Sequence, residues 1–194
     1  MKNQTREELI KAGASAMLAK SYHAVGIQEI LAEANVPKGS FYHYFASKED
    51  FGIAIIEYYG AQLANSIQTK LSDRTLPPRQ RLIAYFTAIK SYYANNGCGQ
   101  GCLVAKLATE IGDSSPRMRA ALRAEFDRWS RLFADCIAEA QQKGDISPDQ
   151  SPEALAEFLY ASWEGALIRM QVNRDLGPID NFMKYIFEYL IPGQ

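Results

Sequence analysis

The chain is poor in the residues on which disulfide frameworks and membrane spans depend. Its 194 residues include only three cysteines, an odd and low number that argues against a disulfide framework and favours a reduced compartment. No apolar run approaches the roughly 18 residues needed to span a bilayer. The N-terminal residues lack the apolar segment of a signal peptide. The sequence therefore predicts a cytoplasmic protein with no membrane partner.

Recognisable catalytic and metal-binding motifs are also missing. There is no phosphate-binding loop, and neither His23 nor His43 is paired with a nucleophile. Cys98 and Cys102 have Cys-x₃-Cys spacing, but a structural zinc site normally needs four nitrogen or sulfur ligands. We therefore expect no metal, no cofactor and no enzymatic activity. The alternative that stays open is a helical protein with thiol-based enzymatic activity at Cys102.

The balance of charge excludes one simple argument for nucleic-acid binding. The chain has 21 Lys and Arg against 22 Asp and Glu, a formal net charge of −1. Residues 1–60 carry six basic and seven acidic residues, so this segment is not basic either. A DNA-binding function must therefore rest on where individual charges lie.

Strand signals are absent, whereas helical periodicity runs along almost the whole chain. The sequence shows no sustained alternation and no Asn-Gly hairpin, and apolar residues recur at helical spacing. Ser47, Ser115 and Ser151 are typical N-caps, and Gly144 is typical of a helix C-terminus. The sequence predicts an all-α fold with helices over about 6–20, 27–34, 37–45, 47–70, 79–95, 102–111, 116–143, 152–173 and 178–190.

The segment 36–48, Val-Pro-Lys-Gly-Ser-Phe-Tyr-His-Tyr-Phe-Ala-Ser-Lys, is the most informative part of the chain. Asn35 suits a tight turn before it, because Asn tolerates a left-handed backbone. Phe41, Tyr44 and Phe45 have the spacing of one helical face and can pack on the preceding helix. Two helices joined in this way predict a helix-turn-helix. The alternative is an aromatic helical hairpin that only packs.

The polar residues of this segment are the candidates for DNA contact. Tyr42 and His43 can donate to phosphate oxygens, while Lys38 and Ser40 can reach base edges. Gly39 permits close approach of the backbone. Lys48 opposes the dipole of the helix that it begins, by about 0.3–1 kcal/mol, unless a phosphate binds there.

Residues 6–60 resemble the DNA-binding domain of the TetR/AcrR family of transcriptional regulators. The motifs that carry the resemblance are Ile-Gln-Glu-Ile-Leu-Ala at 27–32, the segment 36–45, and Ser-Lys-Glu at 47–49. Gly26 departs from the pattern, because many members have Ser or Thr there. The resemblance implies that the DNA-binding residues are Gln28, Lys38, Gly39, Ser40, Tyr42, His43 and Lys48.

The resemblance also implies an architecture and partners. We expect an N-terminal three-helix helix-turn-helix domain over 1–50 and a larger helical sensing and dimerisation domain over 51–194, joined by the helix that runs to about residue 70. Family members bind palindromic operators in double-stranded DNA as dimers and are released by a signal in the larger domain. The helices over 152–173 and 178–190 are expected to form the homodimer, since their apolar residues cover more than one face.

The segment 97–107, Gly-Cys-Gly-Gln-Gly-Cys-Leu-Val-Ala-Lys-Leu, is the candidate sensor. A helix start lowers the pKa of a thiol such as Cys102, and Lys106 can add to this effect; Cys98 lies nearby in the same loop. The segment resembles a subgroup that includes NemR- and AcuR-like regulators, which implies an electrophile, oxidant or small-molecule inducer. Two alternatives stay open: Cys102 is a buried apolar residue, or aromatic residues such as Trp163 bind a reversible ligand.

Overall fold

The structure of the chain, a computed structural model, describes residues 2–193, without the side chains of Lys2, Asn3 and Lys38. Every regular element within these residues is helical, which confirms the all-α prediction. A 3₁₀ helix, Lys38–His43, lies between α2 and α3, and a π-helical segment, Tyr185–Leu190, follows α8. The α-helices are α1 (Lys2–Ala19), α2 (Ile27–Glu33), α3 (Lys48–Leu71), α4 (Pro78–Asn96), α5 (Leu103–Ile111), α6 (Pro116–Gln142), α7 (Pro152–Asn173) and α8 (Gly177–Lys184).

Local capping chemistry determines where several helices begin and end. The Ser47 hydroxyl accepts the Asp50 N–H at 3.0 Å and donates to the Asp50 carboxylate at 2.9 Å, which closes the first turn of α3. Ser151 accepts the Ala154 N–H in the same way at the start of α7. Gly144, with φ of 74°, ends α6. These predictions from the sequence are confirmed.

The chain divides into two compact units, and the first contains residues up to Gln62 together with Leu103–Glu125. Its core consists of fully buried apolar residues from α1, α2, the 3₁₀ helix and α3. They include Leu9, Ile10, Met17, Ile30, Phe41, Phe51 and Ile55. The division expected near residue 50 stays a prediction, whereas in the structure the segment Leu103–Glu125 packs with the N-terminal helices.

The second unit contains Leu63–Cys102 and the chain from Phe126 onward. Phe86 is at the centre of its aromatic core, with its ring centroid 5.0 Å from that of Trp163 and 5.0 Å from that of Phe182. Arg81, which is 1% exposed, donates to Glu139 at 2.8 Å and to the Leu76 carbonyl oxygen at 2.9 Å. None of the helices between residues 2 and 193 is long and apolar enough to cross a bilayer.

Two helices differ from the sequence-based prediction in kind. The segment after Pro37 is a 3₁₀ helix of six residues where we expected an α-helix, and the Ser40 N–H accordingly bonds to the Pro37 carbonyl oxygen, three residues earlier, at 2.9 Å. So short a segment forms few of the cooperative bonds that favour an α-helix. The final predicted helix changes to π-helical geometry at Tyr185.

Candidate functional site

The turn between α2 and the 3₁₀ helix has the geometry of a helix-turn-helix. Asn35 adopts the left-handed conformation that the sequence predicted, with φ of 53°. The N–H of the next residue, Val36, donates back to the Leu31 carbonyl oxygen at 2.9 Å. Beyond the turn, Phe41 is fully buried, with its ring centroid 5.3 Å from that of Phe51 on α3. The aromatic anchor therefore fixes the direction of the 3₁₀ helix.

The opposite side of the 3₁₀ helix is polar and exposed. Tyr42 has 66% of its surface exposed, His43 and Gly39 are exposed, and Ser40 is half-buried. Gln28, near the start of α2, is exposed as well. The side chain of Lys38, the remaining candidate in this segment, lies outside the described residues. Sequence reasoning thus separated the buried aromatics from the polar side chains, except that Tyr44 is half-buried.

Gly39 occupies an open position. A Cβ atom built on this residue would have no neighbour within 4 Å. The free protein therefore has room for a larger residue at Gly39, and any requirement for glycine must come from something that binds against it.

Lys48 is held by an aromatic ring that the sequence did not point to. Its ammonium lies 4.7 Å from the centroid of the Tyr22 ring, a distance at which a cation is attracted to the ring face. Partial burial lowers the pKa of Lys48. The Tyr22 N–H in turn donates to the Glu110 carboxylate at 2.7 Å. Lys48 is therefore positioned at the start of α3 rather than freely solvated.

The loop that contains Cys98 and Cys102 packs closely against the end of α7. A Cβ on Gly99 would lie 2.6 Å from Nη1 of Arg174, and one on Gly101 would lie 2.2 Å from Nε2 of Gln171. Both thiols are half-buried and neither is in a disulfide. The ends of the flexible Arg174 and Gln171 side chains thus lie against the two glycines, and a larger residue at either position would require only that these side chains move.

Lys106 has partners other than the one expected from the sequence. Its ammonium donates to the carbonyl oxygens of Leu18 at 2.7 Å and Lys20 at 2.9 Å. These carbonyls lie at the C-terminus of α1, where a cation is favourable. The two bonds tie α5 to α1, and the expected effect of Lys106 on the Cys102 thiol stays a prediction.

Glu164, whose carboxyl neighbours the Cys102 thiol, is a candidate functional residue that sequence reasoning missed. Burial raises the pKa of the Glu164 carboxyl, an effect partly offset by the neighbouring Tyr160 hydroxyl and Cys102 thiol. Burial also raises the pKa of Tyr85 and Tyr93, and the charges of Cys102 and Glu164 add to this effect. The one available signal was an acidic residue directly after Trp163, between the apolar residues of α7.

Trp163, the remaining sensor candidate, belongs to the core. Trp163 is 3% exposed, and its ring packs on Phe182 at 5.2 Å between centroids. The third cysteine, Cys136, is buried as well, and burial raises the pKa of its thiol to about 11. Within the described residues no group of three or more His, Cys, Asp and Glu side chains is placed to hold a metal ion.

Two family profiles match the chain. The profile described as "Bacterial regulatory proteins, tetR family" matches residues 9–55, which contain the helix-turn-helix. The profile described as "Tetracyclin repressor-like, C-terminal domain" matches residues 78–186. The two matches together cover most of both compact units.

Characterised relatives are similar over almost the full chain. The transcriptional repressor DhaR of Mycobacterium sp. is 39% identical over 97% of this chain and 93% of its own length. The transcriptional repressor NemR of Escherichia coli K12 is 31% identical over 95% of this chain and 92% of its own. The transcriptional regulator AcuR of Cereibacter sphaeroides is 39% identical over 92% of this chain and 81% of its own.

Two solved structures of transcriptional regulators have the same fold as this chain. A TetR regulatory protein from Rhodobacter sphaeroides, 39% identical, superposes with a TM-score of 0.86 over 93% of this chain and 95% of that one. The reduced form of Escherichia coli NemR, 30% identical, superposes with a TM-score of 0.89 over 97% and 98% of the two chains.

Proposed function

Because the chain belongs to the TetR family of helix-turn-helix transcriptional regulators, we propose that it is a cytoplasmic repressor that binds a palindromic operator as a homodimer. The observation that carries this proposal is the division of the 3₁₀ helix into two sides. Phe41 is completely buried on one side, and Tyr42 is 66% exposed on the other. Because most of the Tyr42 side chain is exposed, close to Ser40 and His43, it is available to DNA.

The residues at this surface divide into two roles. The Tyr42 hydroxyl, His43 and the Lys48 ammonium bind phosphate, which positions the protein on the duplex. Lys38 and Ser40 read base edges in the major groove. Gly39 allows the backbone to come close to DNA, and Gln28 adds a contact from the start of α2. The pairing of Lys48 with the Tyr22 ring, at 4.7 Å, pre-orients the ammonium for a phosphate.

Fluorescence anisotropy with a duplex selected from a random library tests these roles. Lys48→Met is expected to reduce the slope of log affinity against log salt by about 1, and Tyr42→Phe is expected to weaken all sequences alike. Ser40→Ala is expected to change the preferred sequence. Tyr92→Phe is the matched control, because Tyr92 is also exposed, at 57%, but lies on α4. Unchanged affinity and salt slope in both Lys48→Met and Tyr42→Phe would contradict the assignment.

The proposed homodimer uses the exposed apolar side of α7 and the π-helical segment. Five large residues are more than half exposed there, although solvated helices normally keep such side chains covered. They are Phe158, Ile168, Val172, Tyr185 and Tyr189. Gly165, on the same helix, has no atom within 4 Å of an added Cβ, so a second helix can approach closely.

Light scattering on two charge substitutions tests the dimer. Phe158→Glu and Val172→Glu are expected to give monomers that lose affinity for the full palindrome, whereas Tyr92→Glu on α4 stays dimeric. A wild-type monomer, or dimers of both variants, would contradict the proposed interface.

The proposed release signal acts on the loop around Cys102, through modification of the thiol or through a small molecule bound nearby. The half-buried thiol supports this location, because a larger group at sulfur must displace its neighbours, and the movable ends of Arg174 and Gln171 lie against the same loop. One solved relative, NemR, is described in its reduced form.

A DNA-release assay separates the two triggers. Cys102→Ser is expected to bind DNA normally and to stop responding to N-ethylmaleimide or hypochlorite, while Cys98→Ser still responds. Normal release of the Cys102→Ser variant by these reagents would contradict the thiol trigger and favour a reversible ligand.

A further inference from the structure

A cavity between α6 and α7 has the composition of a ligand site. Its volume is about 500 Å³, within the range of roughly 300–1,000 Å³ that is typical of small-molecule sites. Aromatic side chains of Phe126 and Tyr160 line it from the two helices. The cavity lies within the second compact unit, at a distance in sequence from the DNA-reading residues.

Two polar atoms in the residues that line this cavity lack partners. Tyr160 is only 6% exposed, and neither its hydroxyl nor Oε1 of Glu164 has a hydrogen-bond partner of regular geometry among the described residues, although the hydroxyl lies close enough to the carboxyl to lower its pKa. A buried polar group that is left without a hydrogen bond destabilises the folded protein. A ligand group that donates hydrogen bonds satisfies the carboxyl oxygen and the hydroxyl oxygen at once.

The charges around the cavity have one dominant sign. Four carboxyl groups line it, against the single guanidinium of Arg131. Glu164 is the half-buried one, and Asp127, Glu153 and Glu157 are exposed. The Ser151 hydroxyl donates to Glu153 at 2.6 Å and lowers the pKa of this carboxyl, which keeps it ionised. A cleft lined mainly by one sign of charge attracts ligands of the opposite sign.

We propose that this cavity binds an organic cation, a primary or secondary ammonium on an aromatic or apolar body. The ammonium donates to Oε1 of Glu164 and to the Tyr160 hydroxyl, and the apolar body packs on the rings of Phe126 and Tyr160. A cation next to an aromatic face is attracted to it as well. The inference deepens the proposed function, on which its regulatory meaning rests, because it names the chemical class of the releasing ligand.

Calorimetry on the full chain without DNA tests the site with three probes of similar shape. The probes are 2-phenylethylammonium, neutral 2-phenylethanol and anionic 3-phenylpropionate. The cation is expected to bind at least ten times more tightly than either of the others. Equal or tighter binding of the alcohol or the carboxylate would overturn the proposal, since it would show that Glu164 acts as a neutral donor or that charge plays no part.

Substitutions locate the binding. Glu164→Gln keeps the shape of the side chain and is expected to weaken the cation at least tenfold, and Tyr160→Phe to weaken it several-fold. Glu57→Gln removes the same charge from an exposed position on α3 and is expected to have no effect. If Glu164→Gln does not fold, the same measurement is made on two other variants. These are Tyr160→Phe, in the buried part of the cavity, and Glu157→Gln, at its exposed edge. Full affinity in the folded variants of cavity residues would overturn the site.

A separate DNA-release assay keeps this inference distinct from the proposed function. If the cation binds but the protein–DNA complex is unaffected, the site stands and release by this ligand fails. If the chain binds no DNA at all, the repressor proposal fails while the calorimetric result is untouched.

Discussion

The ammonium of Lys106, on α5, donates a hydrogen bond of 2.7 Å to the carbonyl oxygen of Leu18, 88 residues earlier in the chain. A second bond, to the Lys20 carbonyl oxygen, is 2.9 Å long. The last carbonyls of a helix have no partner within the helix. Lys106 therefore completes the end of α1 and holds α5 against it within the first compact unit. α5 begins one residue after Cys102, so Lys106 follows the sensor loop directly in the sequence.

Replacing Lys106 by methionine is expected to lower the free energy of unfolding by about 1.5–3 kcal/mol, because two charge-assisted hydrogen bonds are lost. Lys11→Met is the control. Lys11 is an exposed lysine that pairs with Glu7 at 2.6 Å, and such solvent-screened pairs contribute little to stability. Urea unfolding of both variants makes the comparison. Equal losses of unfolding free energy in the two variants would show that the contact of Lys106 with α1 stabilises the protein no more than an exposed ion pair does.

Two glycines provide a matched test of backbone conformation. Gly26 is the N-cap of α2, with φ of −89° and no side-chain cap, and Gly97 follows α4 with φ of 87°. An added Cβ meets nothing within 4 Å at either position. Gly26→Ser is expected to stabilise the protein by about 0.5 kcal/mol, because serine caps the helix and restricts the unfolded chain. Gly97→Ser is expected to destabilise it by about 1 kcal/mol.

Thermal unfolding measures both changes. A loss of stability in Gly26→Ser, or none in Gly97→Ser, would contradict the conformational argument. A loss of stability in Gly26→Ser would also show that a hydroxyl at residue 26 is not enough to cap α2.

Glu139 accepts hydrogen bonds from two arginines that differ in burial. The Arg81 side chain is 2% exposed, and the Arg74 side chain is 70% exposed. Arg81→Met is expected to cost about 3–5 kcal/mol, since a carboxylate and backbone carbonyls lose a buried partner. Arg74→Met is expected to cost less than about 1 kcal/mol. Chemical denaturation of the two variants makes the comparison, and similar costs would contradict the dependence on burial.

The same carboxylate predicts a pH dependence. Hydrogen bonds from Arg81, and then from Lys143, lower the pKa of Glu139 from 4.5 to about 2 in the folded protein. A carboxyl with a depressed folded pKa stabilises above its unfolded pKa, and this stabilisation is lost as the pH falls towards the folded value. The difference in unfolding free energy between wild type and Glu139→Gln should therefore be largest above about pH 5 and shrink towards pH 2. A difference that stayed constant with pH would contradict this.

Sequence reasoning succeeded where the determinants are local. The caps at Ser47 and Ser151 and the left-handed turn at Asn35 depend on residues within three positions, so their patterns can be read directly. The split between buried Phe41 and exposed Tyr42 followed from spacing alone, even though the segment is a 3₁₀ helix.

Partners that are distant in the chain were out of reach. Nothing near Lys48 points to Tyr22, and nothing near Cys102 points to Glu164, because both contacts arise only when segments that are distant in the sequence pack together. Lys106 shows the same limit in the opposite direction. Its spacing of four residues from Cys102 suggested a shared face, whereas its bonds to the carbonyl oxygens at the end of α1 could not be predicted from the sequence.

Substitution of Gly39 tests the central claim, that the 3₁₀ helix reads DNA. Gly39 is exposed, and an added Cβ meets nothing within 4 Å, so Gly39→Ala should leave unfolding unchanged. The decisive measurement is nuclease protection of a duplex selected from random DNA by the wild-type chain. Wild type should protect two half-sites about one helical turn apart, as expected for a dimer of helix-turn-helix units, and Gly39→Ala should lose this protection while it stays folded and dimeric. The account would be contradicted if the wild-type chain selected no sequence, or if Gly39→Ala protected the selected duplex fully.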